Sequence, residues 1–126
     1  MAAAWQILVL VLGLHVVDEA LTGFLDFYNP LILSVRPAWS PFPPTFRFDV
    51  WLGGLTLLVI GLRLLTRWIR RGGRGPRAAS WVFAAIMCLN GCAHLLGSLY
   101  FGRWLPGATT APLLLAASVY LARSIR

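Results

Sequence analysis

The stretch LHVVDEALTGFLDF, residues 14–27, sets His15, Asp18, Glu19 and Asp26 inside a long apolar run. His15 and Glu19 stand four apart, a spacing that puts two side chains on one helix face. At about 100° per residue with His15 as zero, Asp18 falls near 300°, Glu19 near 40°, Thr22 near 340° and Asp26 near 20°. The polar groups therefore share one stripe, and Gln6 falls opposite it. A second apolar run repeats the device. In MCLNGCAHLLGS, residues 87–98, Asn90 and His94 are four apart, joined on that face by Gly97 and Ser98.

Two imidazoles and a carboxylate support two kinds of chemistry. His15, Glu19 and His94 form a two-histidine, one-carboxylate set that suits Zn or non-haem Fe and leaves positions open for water or substrate. Asp18 is then a fourth ligand, a partner that orients an imidazole, or a base, and Asn90 holds a ligand or an oxyanion. The same groups can instead move protons on an apolar substrate without any metal. Asp26, Asp49 and Thr110 are expected around them, touching substrate or supporting the site. Asp49, with Arg47, should border the same cavity.

The elements that must position these groups are membrane helices. Hydrophobic residues make up 59% of the 126 residues and charged residues 12%, against about 25% charged in soluble domains. The expected fold is all-α: a four-helix transmembrane bundle forming one integral membrane domain over residues 1–126. Four apolar segments, at about 4–27, 47–69, 78–101 and 107–124, approach the roughly 20 residues a crossing needs. The N-terminal run lacks a basic flank and a clear cleavage site, so it reads as a retained first helix. Between the first two segments, residues 28–45 hold five of the eight prolines, which predicts an irregular apolar loop and a candidate lid.

All eleven basic residues are arginine. Arg63, Arg67, Arg70, Arg71, Arg74 and Arg77 surround a Gly-rich turn at 67–77, and Arg123 and Arg126 end the chain. Arg36, Arg47 and Arg103 lie on the other side. Excess arginine marks the cytoplasmic face, so both termini and the basic turn are expected there. The net charge of +7 is thus a topology signal that also meets anionic lipid, not a nucleic-acid footprint. The chain is expected in the cell membrane as a multi-pass protein, and a homo-oligomer is compatible with its sequence. Cys88 and Cys92, four apart on one helix, have poor geometry for a disulfide and read as small packing residues.

Depth ties the two polar runs together. Glu19 lies about fifteen residues into the first expected span and His94 about sixteen into the third, and both spans run outward. His15 and Asn90 match in the same way. The site should therefore occupy the outer half of the bundle, facing its interior, because lipid cannot solvate it.

HVVDE (His15, Asp18, Glu19), NGCAH (Asn90, His94) and LPGATTA (Pro106, Gly107, Thr110, Ala111) resemble, in order, the motifs of the HXXEE family of small membrane proteins. The resemblance covers nearly the whole chain and implies a few transmembrane helices and a membrane enzyme whose reaction is not defined. Asp18 stands where that family usually has Glu, and Trp104 where a Tyr is expected.

The reading favoured by these residues is a membrane-embedded enzyme acting on a lipid-like or apolar small molecule, of isomerase, cyclase or hydrolase type. His15, Asp18, Glu19, Asn90 and His94 would carry the chemistry, and at most one divalent metal would serve as cofactor. Two alternatives stand beside it. A proton or metal transporter would use the same groups, although no polar path continues through the cytoplasmic half of the first helix. A structural or partner-binding role would use them as an interhelical clasp, each such bond contributing about 0.6 kcal/mol.

Overall fold

A computed structural model describes residues 1–125; Arg126, counted above among the C-terminal basic residues, lies outside the described residues. The described chain is all-α, with five helices: α1 (Ala2–Leu21), α2 (Phe24–Val35), α3 (Phe48–Arg71), α4 (Arg74–Tyr100) and α5 (Ala111–Arg123). Three of them, α1, α3 and α4, are long and apolar enough to cross a membrane. At about 1.5 Å per residue, the 13 residues of α5 reach only about 20 Å, short of the roughly 30 Å hydrocarbon layer.

Two boundaries differ from the expected ones for physical reasons. The first apolar run does not continue to residue 27. It ends at Leu21, and Gly23, at φ 77°, turns the chain into α2. A left-handed glycine is a common way to end a helix, so Asp26 leaves the polar stripe of α1 and belongs to α2. Proline does not keep residues 28–35 irregular either, since α2 carries on through Pro30. The irregular segment begins at Arg36 and is laid back along α2 by side chains. Asn29 bonds both the N–H and the C=O of Phe46, at 3.0 and 2.9 Å, and the Tyr28 hydroxyl donates to Pro44 O at 3.2 Å.

The core sits where α1 meets α3, α4 and α5. Trp5, Leu8, Val9, Leu12 and Val16 of α1 pack with Ile69, Phe83, Met87, Leu114 and Leu121, all buried. Trp5 anchors this cluster. Its indole lies 4.7 Å from the Phe83 ring and donates Nε1–H to the Leu62 carbonyl at 3.0 Å. Leu10, Leu57, Leu64, Leu89 and Leu96 point outward, an apolar belt of the kind lipid covers.

The connection from α4 to α5 positions the site. Leu105, Ala108 and Thr110 are buried although their backbone is not helical. Buried irregular backbone is tolerated only when the protein itself satisfies its polar groups. The fourth expected helix therefore starts later than residue 107, because Pro106–Thr110 is spent on contacts with α1 and α4.

Candidate functional site

His15 stands six residues before the end of α1 at Leu21, and His94 six before the end of α4 at Tyr100. Two helices running the same way thus bring both imidazoles to one level, with ring centroids 4.7 Å apart and edge to face. Glu19, one turn after His15, reaches between them. Its Oε1 is 3.1 Å from His94 Nε2 and 3.7 Å from His15 Nε2. All three side chains are buried, at 0% exposure for His15, 6% for Glu19 and 7% for His94.

The far side of each imidazole is held. His94 Nδ1 lies 2.7 Å from the carbonyl oxygen of Pro106. A carbonyl only accepts, so Nδ1 carries the proton and Nε2 faces Glu19. His15 Nδ1 lies 2.7 Å from Thr110 Oγ1, and that hydroxyl lies 2.8 Å from Asp18 Oδ2. A hydroxyl has one proton, which goes to the Asp18 carboxylate, so His15 Nδ1–H donates to the hydroxyl oxygen. Asp18 Oδ2 also accepts the Thr110 backbone N–H at 3.0 Å, placing a negative charge at the N-terminus of α5.

These bonds leave three electron-pair donors pointing at one another. His15 Nε2 is buried with no hydrogen-bond partner. One ligand atom from each of His15, Glu19 and His94 lies within 4.8 Å of the others, close enough to hold a metal ion. Zn ligands about 2.1 Å from a shared ion at tetrahedral angles stand about 3.4 Å apart, between the two distances to Glu19. A proton on His94 would satisfy the shorter contact and leave His15 Nε2 orphaned. A cation shared by the three ligand atoms, which lie within 4.8 Å of one another, would satisfy each once the two imidazoles close about it.

The tight approach of the α4–α5 connection depends on Gly107. Its φ is 81°, and a Cβ there would meet His94 Cε1 at 2.7 Å, His94 Nδ1 at 2.9 Å and Glu19 Cγ at 3.0 Å. Both the backbone conformation and the space require glycine.

Two clefts reach the triad from either side of Phe24. One, of about 250 Å³, is lined by Glu19, Phe24, Asp26, Asn29, Phe46 and Trp51. The other, of about 180 Å³, is lined by Phe24, Phe27, Asn90, His94, Leu105 and Pro106. The Phe24 ring lies 5.9 Å from the His94 ring and stacks on Trp51 at 5.7 Å.

Of the residues expected from sequence, His15, Asp18, Glu19, His94 and Thr110 come together directly. Asn90, half-buried, lines the second cleft beside His94, and Asp26, exposed, lines the first. Asp49 does not join them. It pairs with Arg47 at 2.9 Å on the surface, both side chains largely exposed. Cys88 and Cys92 are free thiols. Sequence reasoning missed Phe24 and the Pro106 carbonyl, and it took Gly107 for the start of a helix. The turn-forming Pro-Gly pair was the available signal for the last two.

A family described as "Protein of unknown function with HXXEE motif" matches residues 5–121. No curated protein and no solved structure matches the chain.

Proposed function

The chain belongs to the HXXEE family, and from the geometry of its buried triad we propose a membrane-embedded enzyme that uses a divalent cation on an apolar small molecule. The observation that carries this reading is the pair of bare imidazole nitrogens. Each Nδ1–H is fixed by an acceptor, so each Nε2 is directed at Glu19, and His15 Nε2 has nothing else to bond. Metal-binding histidines are oriented in this way, by a bond from the other ring nitrogen to a carbonyl, hydroxyl or carboxylate.

A cation held there, Zn or Fe, would polarise a substrate oxygen or lower the pKa of a bound water to about 7. His15, Glu19 and His94 would be its ligands. Asp18 and Thr110 keep the His15 ring in the ligating tautomer, and the Pro106 carbonyl does the same for His94. Asn90, on the wall of the second cleft, is placed to bond a polar group of the substrate. Phe24, Phe27, Phe46 and Trp51 offer aromatic walls to its apolar part, as sites for apolar ligands commonly do. The bundle would cross the membrane four times, with α5 and the buried Leu105–Thr110 segment making the fourth passage and both termini in the cytoplasm. The triad would then lie toward the outer leaflet.

Metal-free acid–base catalysis is the second reading, favoured by one contact: Glu19 Oε1 and His94 Nε2, at 3.1 Å, are within reach of a shared proton. Both readings are tested with wild type and Glu19→Gln in nanodiscs made from a total membrane lipid extract, with and without Zn²⁺ or Fe²⁺. Mass spectrometry of the lipids should show a product that depends on both the cation and Glu19. A product formed equally without added or bound metal selects acid–base chemistry, and equal product from Glu19→Gln removes the site from the reaction.

A further inference from the structure

At the end of α1 and α3 remote from the triad, a separate cleft of about 250 Å³ is lined by Gln6, Arg63, Leu64, Thr66, Arg67 and Arg70. Arg63, Thr66, Arg67 and Arg70 are spaced three and four apart on α3, so they share one face of that helix. None of the ion pairs among the described residues involves these three guanidiniums. What gathers two of them is Gln6. With its amide oxygen turned toward them, that oxygen accepts from Arg63 Nη1 at 3.1 Å and Arg70 Nη2 at 3.3 Å.

Two guanidiniums gathered by one amide oxygen, with Arg67 lining the same exposed cleft, favour an anion there, and a second feature points to one. Thr66 is 3% exposed, and its hydroxyl has no hydrogen-bond partner. A helical threonine usually donates to the carbonyl four residues earlier. Here that carbonyl, of Leu62, already accepts the indole N–H of Trp5 at 3.0 Å. A buried hydroxyl left over on the wall of a cleft rimmed by three arginines is a donor in want of an acceptor.

We propose that this cleft binds a phosphate group, presented by an anionic phospholipid of the adjoining leaflet. Arginine matches phosphate oxygens with paired donors, and the long side chains of Arg63 and Arg67 can extend from apolar helix to headgroup level. The Thr66 hydroxyl supplies a further neutral donor. The site differs from general basic attraction because it uses particular arginines and one uncharged side chain, and the arginines beyond the turn contribute nothing to it.

The test is native mass spectrometry of the full chain in phosphatidylcholine nanodiscs doped with phosphatidylglycerol. Wild type should retain phosphatidylglycerol over phosphatidylcholine. Losing Arg63 and Arg67 in R63Q/R67Q should weaken retention about a hundredfold, at about tenfold for each charge-assisted bond to phosphate lost. Thr66→Val, which leaves the charge unchanged, should weaken it about tenfold. R74Q/R77Q, which removes the same charge outside the cleft, should retain the lipid as wild type does. If R74Q/R77Q loses as much as R63Q/R67Q, or if Thr66→Val retains fully, the site is overturned. Inorganic phosphate at millimolar concentration provides the second arm. Failure to displace the lipid supports a headgroup site, and displacement at that concentration overturns the lipid as the natural source. Thermal melting in phosphatidylcholine alone monitors folding, and Thr66→Val should melt no lower than wild type because it removes an unsatisfied hydroxyl.

Discussion

Thr110→Val removes one hydroxyl and almost no volume, and it separates a metal site from a structural clasp. The Thr110 hydroxyl accepts from His15 Nδ1 at 2.7 Å and donates to Asp18 Oδ2 at 2.8 Å. Without it, His15 is free to carry its proton on Nε2 instead, directed at Glu19 Oε1 3.7 Å away. Binding a cation then requires the proton to return to Nδ1, where the fully buried ring no longer finds an acceptor. A buried donor left unpaired costs about 1–3 kcal/mol, and that cost falls on the metal-bound form alone. Affinity should therefore drop roughly 5- to 140-fold, at about tenfold per 1.4 kcal/mol. The loss to Asp18 falls on both forms and shows in stability, where the retained backbone N–H at 3.0 Å keeps it to about 1 kcal/mol. The assay is competition for Zn²⁺ against a chromophoric chelator in detergent, for wild type, Thr110→Val and Thr110→Ser. Serine should bind as wild type does. If valine binds Zn²⁺ as tightly as threonine, the hydroxyl does not prepare His15 as a ligand and the reasoning fails.

Gly107→Ala should destabilise by about 1–2 kcal/mol from the left-handed backbone alone. It should also lower metal affinity, because its methyl group displaces His94, and thermal melting beside the same chelator assay reads both. Asp49→Asn should change stability by less than about 0.5 kcal/mol and leave metal affinity untouched, since the Arg47 pair is exposed; any loss of binding would return Asp49 to the site. Topology is read with Ser40→Cys and Gly73→Cys in a cysteine-free background. A membrane-impermeant maleimide added outside intact cells should label the first and spare the second, and the reverse pattern would invert the proposed orientation.

How much of this was legible in the sequence differs from element to element. Polar residues four apart within apolar runs were enough to find His15, Glu19 and His94, because helix periodicity forces such residues onto one face and lipid forces that face inward. Counting residues from the span starts brought the two runs to about the same depth but one turn out of register. It set Glu19 against His94, whereas the two imidazoles share a level and Glu19 reaches across from the next turn, at 3.1 Å. The stripe was drawn too long because Gly23 interrupts it. An isolated glycine in an apolar run is ambiguous, and only its left-handed φ shows that Asp26 belongs to another helix. Asp49 stays outside for a different reason: Arg47, two residues away and a partner the sequence already offers, satisfies it on the surface. The roles of the Pro106 carbonyl and of Gly107 were hidden because they lie in backbone geometry between elements.

Elemental analysis of the purified protein tests the central claim most directly. Wild type expressed with Zn and Fe in the medium should carry one equivalent of one of these metals per chain, and His15→Ala, Glu19→Gln and His94→Ala, inserted and folded, should each carry almost none. Wild-type protein that is metal-free as isolated and takes up neither Zn²⁺ nor Fe²⁺ when they are supplied would contradict it.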